Sequence, residues 1–69
     1  MNVYWFKAYF KDNETDKPFV LTFCRISCAL EAARQRAFVD CRQYEKECDC
    51  KLLYLYTDTD MKEGAANEN

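Results

Sequence analysis

The sequence contains no histidine, one glycine and one proline among 69 residues. Without histidine it lacks the commonest general base, the usual activating partner of a cysteine nucleophile, and a component of mixed Cys/His zinc sites. The lone glycine is Gly64, near the C-terminus, so no glycine-rich loop or G-x-x-x-x-G-K pattern exists to cradle a phosphate. Such low Gly and Pro content argues against a disordered chain or a disulfide-knotted loop fold. No apolar run approaches the roughly 20 residues of a membrane helix. The N-terminal "MNVYWFKAYFKD" is interrupted by Lys7 and has no basic segment leading into an apolar one, so no signal peptide is expected. Strong charge is also missing. Residues 1–57 carry nine basic and eight acidic side chains, while residues 58–69 carry Asp58, Asp60, Glu63 and Glu68 against Lys62. A near-neutral body lacks the basic patch of a duplex-DNA reader and argues against nucleic acid as partner. The expectation is a single cytoplasmic domain over 1–57, followed by an acidic flexible tail over 58–69.

What the chain has in quantity is aromatic residues, eleven in all, and five cysteines. An odd number of thiols cannot close into a full disulfide set within one chain, which fits a reducing compartment. A domain this small buries little surface, so a metal or a partner subunit would help it. The cysteines therefore need weighing against the elements that carry them.

"VYWFKAYFK", residues 3–11, alternates with period two. Tyr4, Phe6, Ala8 and Phe10 form the drier face, and Val3, Trp5, Lys7, Tyr9 and Lys11 the other. "DNETDKP" (12–18) reads as a polar turn of seven residues and "FVLTFCRI" (19–26) as a second strand. Ser27 is read as the N-cap of a helix from Cys28 to Cys48, with an apolar stripe of Leu30, Ala33, Ala37, Cys41, Tyr44 and Cys48 and a supporting Arg36–Asp40 pair. "KLLYLYT" (51–57) is a third strand. The order β-β-α-β predicts an α+β two-layer fold: a three-stranded antiparallel sheet in order 2-1-3 with one helix on one face.

In that fold Cys28 and Cys48 stand at opposite ends of a helix about 30 Å long, so Cys24, Cys28, Cys48 and Cys50 cannot converge on one zinc ion. The expectation is that Cys24, Cys41 and Cys48 are small core residues, with no metal and no cofactor. Acidic residues fall in the turn, on the helix surface or in the tail, and no enzyme activity is expected. The sheet face opposite the helix is left uncovered. It should present Trp5, Lys7, Tyr9 and Lys11 from the first strand, Tyr54 and Tyr56 from the third, and Thr22 or its neighbours from the second. Aromatic residues are enriched in interface cores and contiguous apolar patches mark interaction sites, so this face is the candidate binding surface. Lysines among aromatics also suit single-stranded nucleic acid, and a structural homodimer is a further alternative.

The runs "YWFKAYFKDNETDKPFVLTF", "SCALEAARQRAF" and "CKLLYLYT" together resemble the layout of small bacteriophage host-takeover and anti-defence proteins. These include the T7-type inhibitors of host RNA polymerase and small anti-CRISPR proteins. The resemblance spans residues 4–57 and rests on element order, length and helix start. It implies a small, non-enzymatic, phage- or mobile-element-encoded module that inhibits or modulates a host protein complex by occupying its surface. No site residue is carried over by it.

Overall fold

The computed structural model describes residues 1–57, and the segment read as an acidic tail lies outside them. Four elements follow in order: β1 (Asn2–Asp12), β2 (Pro18–Ser27), α1 (Leu30–Cys48) and β3 (Cys50–Thr57). The sheet has the order β2-β1-β3 with both pairings antiparallel. The expected β-β-α-β, two-layer α+β architecture is the one observed.

The core lies between the helix and the drier face of β1. Phe6, Ala8 and Phe10 are fully buried, with Ala33, Ala37 and Cys41 of the helix against them. Small residues at 33, 37 and 41 let the helix approach the sheet closely. The room is filled by rings: Phe6 stacks on Phe23 at 5.6 Å and Phe10 on Phe19 at 5.5 Å, with Tyr44 at 5.1 Å from Phe10. Such pairs add about 0.5–1.5 kcal/mol beyond the area they bury.

Several local expectations are corrected. The β1–β2 ladder reaches further than a seven-residue turn allows. Asp12 N–H donates to the Lys17 carbonyl at 2.9 Å, leaving four residues in the loop. The Asp12 carboxylate makes this possible by accepting the Glu14 and Thr15 amides at 2.8 and 3.0 Å, and Asp16 closes the turn with φ 64°, a conformation Asp tolerates better than most residues. Ser27 is not the N-cap. It is still paired with Asn2 in the sheet, and the helix starts at Leu30 after Ala29, which has no capping side chain. Asp40 pairs with Arg25 of β2 at 2.7 Å rather than with Arg36, tying helix to sheet.

The "CDC" segment is a helix stop and a strand start. Asp49 takes a left-handed conformation, φ 49°, and its N–H donates to the Glu45 carbonyl, as a C-terminal cap does. Its side chain accepts from the Asn13 amide group at 3.0 Å, and its carbonyl from Asn13 N–H at 3.2 Å. The hairpin loop is thereby fastened to the helix end. The reversal at Asp49 leaves Cys48 exposed and turns Cys50 into the core beside Cys41. Cys24 is half-buried on the open face, opposite Trp5. Of the three expected core thiols only Cys41 is one, and Cys50 is the other.

One irregularity decides the facing of β3. Tyr9 pairs with Tyr54 but Phe10 pairs with Leu52, so Leu53 is an extra residue in β3, a β-bulge. Without it, strict alternation from Cys50 would send Tyr54 and Tyr56 to the helix side. With it, Cys50, Leu52, Leu55 and Thr57 point inward, and Leu53, Tyr54 and Tyr56 outward.

Candidate functional site: the open face of the sheet

Among the described residues one helix covers one face of the sheet, and the opposite face is left exposed. Trp5 is 47 % exposed, Tyr54 61 % and Tyr56 41 %. The central strand lays Trp5, Lys7, Tyr9 and Lys11 in a row, because alternate β residues share a face. Register then sets their neighbours. Lys7 stands between Thr22 and Tyr56, and Tyr9 between Val20 and Tyr54. Tyr9 meets Tyr56 edge-on at 5.7 Å, and Tyr54 stacks on Tyr56 at 5.9 Å. Three tyrosines thus form one cluster, with Lys7 beside it and Trp5 two residues further along β1.

Lys11 belongs to the row but not to the cluster. It lies at the hairpin end, opposite Lys51, and its Nζ reaches Asp16 at 2.9 Å. Beyond the residues named from the sequence as the binding surface, the face has an aliphatic share: Val3, Val20, Ile26 and Leu53 are all exposed here. The signal for Leu53 was the doubled leucine in "CKLLYLYT", which breaks an otherwise regular alternation. Among the described strand residues facing this side, the charged ones are Lys7, Lys11 and Lys51, with no carboxylate among them. The face is an apolar, tyrosine-rich surface of positive sign.

Phenol hydroxyls on such a surface can donate and accept hydrogen bonds, and their rings bury large area with few rotors to fix. Their surroundings favour the neutral form of the buried thiols: burial first, then the charge of Asp40, pushes Cys41 up to about 11, and burial likewise raises Cys50. Tyr44, on the helix side, is raised chiefly by its bond with the Cys48 thiol. Among the described residues no three His, Cys, Asp or Glu side chains are placed to hold a metal ion, and no helix is long and apolar enough to cross a membrane. Compared with known protein families, curated proteins and solved structures, the chain matches none.

Proposed function

We propose that this protein is a non-enzymatic binding module that docks the open face of its sheet onto the surface of another protein. The observation that carries the reading is the Tyr9–Tyr54–Tyr56 cluster with Trp5 and Lys7 beside it, exposed on a rigid strand platform. Aromatic side chains dominate binding energy where they are desolvated at an interface centre. The lysines of the same face favour a partner with an apolar patch rimmed by carboxylates. Inhibition or modulation of a host complex by a phage- or mobile-element-encoded protein, as the resemblance implies, would need nothing more than such occupation.

The test is capture of a partner from host lysate, followed by affinity measurement for Trp5→Ala and Tyr54→Ala beside Phe6→Ala. Each open-face truncation should cost about 2 kcal/mol of binding, roughly thirtyfold, and leave the melting curve in place. Full affinity in both variants would refute the assignment of the face. Salt-sensitive quenching of Trp5 by single-stranded oligonucleotides, with no protein captured, would favour nucleic acid instead.

A further inference from the structure

The two outer edges of the sheet are built differently. On β3 the edge is interrupted. The bulge at Leu53 bends the ladder, Lys51 stands beside it, and the Leu52 N–H is taken by the Glu45 carboxylate at 2.6 Å. Glu45 is in turn held by Arg42 at 3.2 Å. Bulges, lysines and capped amides are the usual means of blocking an edge.

On β2 these devices are missing. Its ten residues, "PFVLTFCRIS", pair with β1 without a break, and the only charge, Arg25, is turned to Asp40 on the helix side. Which of its amides face outward follows from the register. The bond from Asp12 N–H to the Lys17 carbonyl marks that pair as hydrogen-bonded, and hydrogen-bonded pairs recur at every second residue of an antiparallel ladder. Phe19, Leu21, Phe23 and Arg25 therefore direct their N–H and C=O groups to β1. Pro18, Val20, Thr22, Cys24 and Ile26 direct theirs outward. Pro18, which has no N–H to offer, falls where none is needed inside the sheet.

From this edge we infer that β2 pairs with β2 of a second copy, antiparallel about a two-fold axis at Thr22, joining two sheets into one of six strands. The strand is self-complementary in that register. Thr22 opposes Thr22 of the partner copy, Val20 opposes Cys24, and Pro18 opposes Ile26, so each outward N–H meets a carbonyl, and only the Ile26 carbonyl opposite Pro18, at the end of the ladder, is left to water. On the helix side Leu21 opposes Phe23, and Phe19 opposes Arg25. Thr–Thr cross-strand pairs are favourable ones, and Leu21 against Phe23 removes apolar surface from water on both copies.

A second observation lies along the same edge. The helix leaves a groove of about 270 Å³ beside β2, whose lining includes Phe10, Leu21, Phe23, Cys41 and Tyr44 and the Arg25–Asp40 pair. The partner's β2 would bring Leu21 and Phe23 against its mouth. The helices do not obstruct this. The two β1 strands would lie three strand spacings apart, about 14 Å, while packed helices need only about 8–10 Å. The inference is independent of what the open face binds.

The experiment is sedimentation equilibrium of the full chain, up to sub-millimolar concentration, for the natural sequence and for Thr22→Pro. Proline at 22 removes an outward amide and spares the β1 ladder. The natural chain should dimerise reversibly, and Thr22→Pro should sediment as a folded monomer. A natural chain that stays monomeric throughout overturns the proposal, as does a Thr22→Pro protein that still dimerises. Should Thr22→Pro fail to fold, Thr22→Lys decides: two like charges face each other on the axis, and dimer Kd should rise roughly fivefold at low salt. An unchanged Kd refutes it. Loss of the dimer in Tyr54→Ala would also refute it, by moving the contact to the open face.

Discussion

Removing a single residue, Leu53, should be tolerated, whereas removing Leu55, two positions on, should not. The bulge places Leu53 outside the regular ladder, between Leu52 opposite Phe10 and Tyr54 opposite Tyr9. Without it β3 reads Cys-Lys-Leu-Tyr-Leu-Tyr-Thr, a perfect alternation that keeps Cys50, one leucine, Leu55 and Thr57 inward. Leu53 is 41 % exposed, so a little over half of a leucine's burial energy is lost, about 1–2 kcal/mol from a full value of roughly 1.5–3. For a domain this size that lowers Tm by roughly 5–15 °C. Removing Leu55 instead forces a tyrosine into the place where Leu55 packs on both halves of the core. Overpacking costs about 1–3 kcal/mol, and a buried hydroxyl without a partner about 1–3 more. A body of 57 described residues has only about 3–9 kcal/mol to lose. Thermal and urea melts followed by circular dichroism should give a cooperative transition for the first deletion and little or none for the second. Equal melts, or loss of cooperativity on removing Leu53, would refute the assignment of the bulge.

Thiol reactivity should follow burial: at pH 8 a disulfide reagent should modify Cys28 and Cys48 quickly, and Cys41 and Cys50 only as the protein unfolds. Fast labelling of four or five thiols in the folded protein would contradict the core. Cys41 favours its neutral form in the fold, so its support is complete below the ordinary 9.0 and fades as pH climbs through about 11; alkaline melts should weaken over that window in the natural chain and less so in Cys41→Ala. Asp12 has the opposite sign: the Thr15 and Glu14 amides hold its carboxyl below 3.8, so the loop's support persists above that value and is lost only as pH falls through the lowered one. Titration of the Glu14 and Thr15 amide resonances should show a midpoint under 3.8, and one above it would count against the turn. Asp40→Ala removes a half-exposed ion pair with Arg25 and should cost about 0.5–1 kcal/mol in a urea melt; no change would mean the pair does not tie helix to sheet.

The sequence determined the elements, their order and most of their facing, because these rest on local periodicity. Alternation on β1 separates Phe6, Ala8 and Phe10 from Trp5, Lys7 and Tyr9, and a pattern of small residues spaced by about a helical turn marks Ala33, Ala37 and Cys41 as the side that meets the sheet. The open face followed, since the three strands and one helix of the described residues leave one side without a cover. The remaining features depend on contacts between residues distant in the chain. Asp49 stops the helix in a left-handed turn braced by Asn13, and this reversal, more than any property of a thiol, puts Cys50 inside and Cys48 outside. Helical spacing pointed Asp40 to Arg36, and only the packing of helix on sheet sets Arg25 beside it. The bulge at Leu53 depends on matching β3 to β1. A side-chain period of two tells a strand which residues share a face, but an added residue inverts that parity, and only the partner strand decides where it is taken up.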